Sequence, residues 1–273
     1  MTALEPFAVL HEGPGPELPL PSALRGVYGG DLALPEPCLY ANFVATVDGV
    51  VAVPSLPGSN RLISGGSEAD RFLMGTLRAA ADVVLIGSGT LRASPQGRWR
   101  PETVYPPAAE SFGALRHELG YDASPRVAVL TASGSIAPEH PVLADGALVL
   151  TTETGAARLA GLLPDAAELA VLPGDAEVDV GAAVSLLFSR GHRRILSEAG
   201  PHVFGSLVEA DLVDDLFLTV SPLLAGRGMS ASYGLVEGAA LLPERTEEAG
   251  LRSVRLHGSH LFLHYALRRR DAT

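Results

Sequence analysis

The stretch Arg193-Arg194-Ile195-Leu196-Ser197-Glu198-Ala199-Gly200-Pro201-His202-Val203-Phe204-Gly205-Ser206 restricts this chain more than any other. A short apolar run closes at Ser197-Glu198; a glycine, a proline and an amphipathic segment to Glu209 follow. The pattern predicts strand, tight turn, helix. Pro201 suits a first helical turn, where its missing N–H costs nothing. Gly200 permits a sharp turn and close approach by a ligand. The free N–H groups of such a helix start suit an anion, a pyrophosphate included. Glu198 would flank the same crevice. The turn alone decides nothing, because many strand–glycine–helix connections bind no ligand and this one lacks the G-x-G-x-x-G fingerprint.

Composition narrows the choice. The 273 residues are 47% hydrophobic, ample for a real core and far from a disordered class. The formal net charge of -11 argues against a nucleic-acid or anionic-membrane surface, so an anionic substrate needs a local basic pocket. All 20 basic residues are arginine, which removes Schiff-base and P-loop lysine chemistry. Cys38 is the single cysteine. It excludes an internal disulfide and a cysteine-rich zinc site, reads as a buried thiol, and fits a reducing cytoplasmic compartment. The first residues lack a signal-peptide pattern, and no apolar run has the length of a membrane span.

Residues 1–37, rich in proline and glycine, read as an extension partly docked on a single domain at 38–270, with a short helix within 18–27. Strands are expected at 38–47, 82–87, 125–131, 147–151, 168–172, 193–198, 214–220, 252–256 and 261–267. Helices are expected at 67–80, 108–117, 155–163, 180–190 and 202–210. Pro54 to Gly66, much of 92–121, and Leu223 to Gly228 read as loops. Alternating strands and helices followed by an antiparallel pair give a mainly parallel central sheet with helices on both faces. The apolar strands 214–220 and 261–267, if exposed at an edge, predict a symmetric homodimer.

Three strand ends are rich in glycine and hydroxyls: Gly87-Ser88-Gly89-Thr90, Ser133-Gly134-Ser135 and Glu198-Ala199-Gly200-Pro201. Ligands of open α/β sheets bind at such carboxyl ends. Unpaired arginines nearby would complete a dinucleotide site. His257, His260 and His264 fit strand alternation better than a metal centre, so no metal is expected.

Here the residues resemble a known family. Ala-Asn-Phe-Val-Ala-Thr-Val-Asp-Gly, then Leu-Arg-Ala-Ala-Ala-Asp-Val-Val-Leu-Ile-Gly-Ser-Gly-Thr, then Ser-Glu-Ala-Gly-Pro-His-Val-Phe-Gly-Ser-Leu-Val-Glu-Ala-Asp-Leu-Val-Asp-Asp-Leu are similar, in order and spacing, to the reductase domain of the riboflavin-biosynthesis deaminase–reductase. The resemblance implies an α/β, dihydrofolate-reductase-like fold and NADPH-dependent reduction of the ribosyl group of an aminopyrimidine ribonucleotide to ribityl, commonly in a homodimer.

The resemblance also implies site residues. Gly87, Gly89, Thr90, Ser94, Thr131 and the run Gly200, Pro201, His202, Val203, Phe204, Gly205, Ser206 would contact the cofactor. Asn42, Arg78, Arg98 and Glu198 would contact substrate. Glu198 and Asp48 are the candidates for catalysis, Glu198 by assisting proton delivery. Apart from the resemblance, the negative net charge means that a 2′-phosphate needs a local partner such as Arg92 or Ser133, and Trp99 is expected in a loop that overhangs the site. Val50 stands where the family often has a basic residue, and Ser94-Pro95 replaces an acidic pair. The resemblance covers the reductase half alone, so a stand-alone reductase is the expectation. Alternatives are a dihydrofolate or other pteridine reductase on the same fold, and a non-catalytic NADP(H)-binding protein.

Overall fold

The computed structural model describes residues 4–56, 58–226, 231–243 and 248–267. Among them ten strands share one sheet: β1 (Ala8–Glu12), β2 (Cys38–Thr46), β3 (Val83–Gly87), β4 (Arg126–Thr131), β5 (Leu148–Thr151), β6 (Glu168–Val171), β7 (Arg194–Ser197), β8 (Asp215–Ser221), β9 (Gly250–His257) and β10 (His260–Ala266). Their order is β1-β9-β10-β8-β2-β7-β3-β4-β5-β6. Neighbours from β8 through β6 are parallel, and β10, β9 and β1 extend the sheet antiparallel.

The central strands are buried on both faces, as parallel strands covered by helices must be. Val83, Val84, Leu85 and Ile86 of β3 are fully buried. Val84, Ile86, Tyr40 and Leu196 join one core cluster with Phe72 and Leu77 of α3 (Glu68–Ala80) and Phe112 and Leu115 of α6 (Ala109–Glu118). Val83, Leu85, Leu39 and Ile195 join another with Leu187 of α9 (Val180–Ser189) and Phe204 and Leu207 of α10 (Pro201–Glu209). The period of two in the strands and the helical period in the helices therefore meet on the same residues. Ser67 caps α3 by accepting from the Asp70 N–H at 3.2 Å.

The helices that follow β3 and β7 leave on opposite faces. α4 (Ser88–Ala93) sends Leu91 into the first cluster, whereas α10 sends Phe204 into the second. β3 and β7 are adjacent and parallel. A crevice at their carboxyl ends is the geometric result, a topological switch point.

The structure revises several expectations. β1 pairs antiparallel with β9 at the sheet edge, and α1 (Ser22–Tyr28) follows it. Phe7 is 4% exposed and packs on Tyr28, Phe72, His257 and Phe262, so residues before Cys38 supply part of the core. The segment 54–66 contains α2 (Ser59–Ile63), and 92–121 contains α5 (Pro101–Val104) and a 3-10 turn before α6. These helices are too short to show a full apolar period. One further helix, α7 (Pro141–Ala144), lies between β4 and β5, and the helix expected at 155–163 is α8 (Glu153–Leu159), which starts and ends earlier. β8 and β10 are interior strands, so the edge argument for association does not hold. Trp99 is 4% exposed and packs beside His140; it is core and overhangs nothing. Arg227 and Gly228 of the expected loop lie outside the described residues. Among the described residues no helix is long and apolar enough to cross a membrane.

Phe7→Ala is expected to destabilise the fold by about 3–5 kcal/mol, the range for emptying a buried aromatic site. Urea unfolding checks this; a loss below ~1 kcal/mol would mean that the amino-terminal segment contributes little to the core.

Candidate active site

Two helix starts face each other in the crevice. Gly87 and Gly200 are the N-cap residues of α4 and α10, and neither start has a side-chain cap. A Cβ placed on Gly200 would meet only Thr90 Oγ1, at 4.0 Å, and one on Gly87 would meet Val203 Cγ2 at 3.3 Å. Beside Gly89 a Cβ would meet nothing within 4 Å. Gly200 has φ -67° and ψ 170°, values open to any residue. Its glycine therefore gives clearance, and the turn needs no left-handed backbone. Backbone N–H groups with partial positive charge line this clearance.

The run after Gly200 divides. Pro201, His202 and Val203 border the crevice, with His202 exposed and its ring 5.0 Å from that of Tyr233. Phe204 is buried, 4.8 Å from Phe43. Gly205 lies against the Glu237 carbonyl so closely that a Cβ would collide with it. Ser206 donates to the His202 carbonyl at 3.2 Å. Phe204, Gly205 and Ser206 thus serve helix packing. Thr131 ends β4, buried, its hydroxyl without a hydrogen-bond partner among the described residues. Ser94 ends α4, and its carbonyl contacts His140 Nε2 at 2.9 Å, on the far side of that helix from the crevice start.

The floor is polar. Arg78 Nε and Nη2 donate to Glu198 Oε1 and Oε2 at 2.8 and 2.6 Å, a two-pronged pair with both side chains about 10% exposed. Arg78 thus has two of its guanidinium nitrogens engaged by Glu198. Both Glu198 oxygens accept from it, which suits an orienting acceptor better than a proton donor. Asn42 follows the pair Ala41↔Ser197 in register, which places it beside Glu198 on the α3 face. Arg116 Nη1 donates to the Ala81 carbonyl at 2.6 Å and to the Arg78 carbonyl at 3.3 Å, fixing the end of the helix that carries Arg78.

Asp48 accepts from the Thr46 hydroxyl at 2.6 Å and from the N–H groups of Ala225 and Gly226 at 3.0 and 2.7 Å. These bonds, the Thr46 hydroxyl first, hold its carboxyl down at about 2. So occupied, it pins the 222–226 loop and is a poor base at neutral pH. Arg98 and Arg100 both pair with Asp145, just before β5, at the opposite end of the sheet from the crevice. Arg98 does not join the site. Arg92 Nη1 donates to the Ser135 carbonyl at 3.0 Å, and Arg158 of α8 to the Ser133 carbonyl at 3.1 Å. Both are exposed side-chain contacts that flank the loop after β4.

Sequence reasoning missed Asp70. It is 5% exposed, and burial pushes its carboxyl up to about 6; the Thr219 hydroxyl, His260 and Arg71 draw it back, while Glu198 adds repulsion. The Thr219 hydroxyl stands close to it without a hydrogen bond of normal geometry. In sequence Asp70 looks like an ordinary acid in a helix first turn, and no local signal marks it as buried.

An open sheet with uncapped helix starts at a switch point and an ion-paired floor defines the class: an α/β protein with an anion-receptive crevice. A family model described as the RibD C-terminal domain matches residues 37–259, and the chain belongs to that family. It is 24% identical, over 70% of its own length and 83% of the relative's, to 2,5-diamino-6-ribosylamino-4(3H)-pyrimidinone 5′-phosphate reductase of Archaeoglobus fulgidus. A pyrimidine reductase-like protein of Corynebacterium diphtheriae shares the fold, with TM-score 0.68, 24% identity, and coverage of 90% of this chain and 98% of that one. So does the Thermotoga maritima diaminohydroxyphosphoribosylaminopyrimidine deaminase/5-amino-6-(5-phosphoribosylamino)uracil reductase, with TM-score 0.62, 19% identity, and coverage of 85% and 57%.

Asp48→Asn is expected to loosen the 222–226 loop, raising its hydrogen exchange while the rest of the sheet stays protected. Because the folded carboxyl is depressed from 3.8 to about 2, its contribution is complete above the unfolded value and is lost as pH falls through the folded one. In the parent protein, exchange in this loop should rise selectively over that acid window; equal rates in parent and variant at neutral pH would refute the pinning role.

Proposed function

We propose that this protein is an NADPH-dependent oxidoreductase that reduces the ribosylamino group of a pyrimidine ribonucleotide intermediate to ribitylamino. The carrying observation is the pair of uncapped helix starts at Gly87 and Gly200, set beside the Arg78–Glu198 floor in a RibD C-terminal domain chain. The residues present fit such a cofactor. The clearance beside Gly200 and Gly89 accepts phosphate oxygens, and the N–H groups of α10 with the Thr90 hydroxyl would hold them. Thr131, with an unpartnered buried hydroxyl, would take a further polar atom. When bound, the nicotinamide supplies a hydride to the first carbon of the opened sugar. Asn42 and Glu198 orient the substrate, and Arg78 keeps the Glu198 carboxylate in place. The buried sides of the floor exclude water from the reacting carbon.

The loop after β4 supports NADPH over NADH. Arg92 and Arg158 each use one N–H on the 133–135 loop and leave others for a 2′-phosphate, with the Ser133 hydroxyl between them. Soluble cytoplasmic operation fits the single reduced cysteine. A homodimer is also part of this reading. Leu218, Val220, Val254, Leu256, Leu261, Leu263 and Tyr265 share one face of β8, β9 and β10 and remain part-exposed. Such an apolar face favours a symmetric partner. Leu263→Glu should shift the protein toward monomer in sedimentation equilibrium; a parent that is monomeric at high concentration would remove the dimer from the proposal.

Gly200→Val tests the crevice. A side chain there enters the space assigned to a phosphate oxygen, at a backbone conformation valine accepts. Loss of two hydrogen bonds to a charged group costs about 3–6 kcal/mol, which is roughly a hundredfold or more in affinity. Calorimetric titration should show this loss for NADPH with unchanged circular dichroism, and the parent should bind NADH more weakly. A folded variant that binds NADPH like the parent would place the cofactor elsewhere.

A further inference from the structure

A group of arginines that the crevice does not use gathers at the other end of the sheet. Asp82, Arg126 and Arg193 stand at the amino ends of β3, β4 and β7, whereas the crevice lies at the carboxyl ends of β3 and β7. β3 runs from one to the other, a length of about 16 Å. Two loops wall a cavity there, 119–124 after α6 and 190–193 after α9. Its volume is about 670 Å³, within the range of small-molecule sites. Arg116, Arg126, Arg190 and Arg193 line it together with Leu119 and Tyr121, and no crevice residue does.

The cations of this cavity share their counter-charges. Arg126 Nη2 donates to Glu168 Oε2 at 2.7 Å, and Arg190 Nη1 pairs with the other oxygen of the same carboxylate. Glu36 is shared as well, between Arg194 Nη2 at 2.7 Å and Arg193 Nε at 3.6 Å. The Asp82 carboxylate is occupied by the N–H groups of Arg193 and Arg194, at 2.5 and 3.2 Å, and by His192 Nδ1 at 3.2 Å. Asp122, exposed, is the other acid of the lining, and its carbonyl accepts from Arg116 Nε at 2.6 Å. Five guanidiniums thus meet four carboxylates, in a chain whose formal net charge is -11. A cleft with such a local surplus of positive charge draws anions.

Glu168 shows what kind of anion the cavity accepts. Its two oxygens each meet one arginine. A phosphate presents oxygens at similar spacing and carries more charge, and guanidinium forks suit it. Glu168 has a side chain 42% exposed, so it can turn to solvent and yield its place. Beside it stands a fixed ring: the Tyr121 hydroxyl accepts from Arg194 Nη1 at 3.1 Å, and the Arg116 guanidinium lies 5.5 Å from the ring centre. We infer that this cavity is a second ligand site that takes a phosphomonoester of nucleotide size, its phosphate between Arg126 and Arg190 in place of Glu168 and its body against Leu119 and Tyr121. The inference does not depend on what the crevice binds.

Calorimetric titration at low salt tests it, with uridine 5′-monophosphate, uridine and a hexaglutamate peptide as probes. The proteins are the parent, Arg126→Gln/Arg190→Gln and Glu168→Gln. The parent should bind the monophosphate, and uridine far more weakly. The double substitution should weaken the monophosphate by roughly tenfold or more, as expected from losing charge-assisted hydrogen bonds. Circular dichroism should not change, because both side chains stand partly in water. Glu168→Gln removes the competing carboxylate and should tighten the monophosphate severalfold, a gain that damage to the fold would not produce. Monophosphate held in the crevice would be unmoved by either substitution, so only the component that responds is assigned to the cavity. No such component, a Glu168→Gln protein that binds no more tightly than the parent, or uridine bound as tightly as its monophosphate overturns the assignment. Tighter binding of hexaglutamate than of the monophosphate gives the cavity to an acidic protein segment and overturns it as well.

Discussion

β3 and β7 lie side by side, point the same way, and send their next helices to opposite faces of the sheet. The rest of the site depends on that divergence. Two helices leaving on one side would pack against each other and close the strand ends. Leaving on opposite sides, they expose two sets of free N–H groups to one space. The local sequence then has little freedom. Gly87 needs clearance from Val203, Gly205 lets the backbone near Glu237 lie on α10, and Gly200 leaves open space in which a Cβ would meet only Thr90, at 4.0 Å. The strands beneath must be apolar on both faces, which is why β3 reads as an unbroken Val-Val-Leu-Ile run.

Polar groups are distributed unevenly along this sheet. Toward the amino ends of the strands Asp82 accepts from the Arg193 N–H, Arg126 meets Glu168, and Asp215 Oδ1 accepts from Arg252 and His264, while Asp215 Oδ2 and Arg194 Nε are buried with no partner among the described residues. At the carboxyl ends, the hydroxyls of Thr131, Ser197, Thr219 and Ser221 are buried with no partner among the described residues. Unsatisfied buried hydroxyls are uncommon in folded proteins. Their gathering at one end fits a surface completed by a ligand. The Arg78–Glu198 pair contributes differently. Breaking a buried pair leaves a lone charge and costs more than the pair itself stabilises, so it fixes geometry more than it adds stability.

How much of this was legible in the sequence follows from how local each signal is. β3, α3 and the β7–α10 turn were readable because their apolar periods, the cap at Ser67 and Pro201 act within a few residues. β1 was not, since all five of its residues are exposed and carry no alternation. Its place depends on Phe7 finding Phe262 far along the chain. The glycines at the crevice were readable as a class, though not their reason, because clearance across two loops is a tertiary property. Arg78 and Glu198 were each singled out, and their mutual pairing was not, with 120 positions between them.

The two carboxylates of the floor show why side-chain type alone does not assign a role. Glu198 and Asp70 lie on the same face of the sheet, near enough to repel. Glu198 is neutralised by a guanidinium in direct two-pronged contact. Asp70 sits at a helix start, where the dipole favours a negative charge, yet burial overrides that and raises its carboxyl to about 6. The difference is one of partners: a hydroxyl and a more distant imidazole cannot replace the water that burial removes. Environments that separate two like groups in this way separate their tasks as well, with Glu198 held in the floor by Arg78 and Asp70 enclosed beneath the first turn of α3.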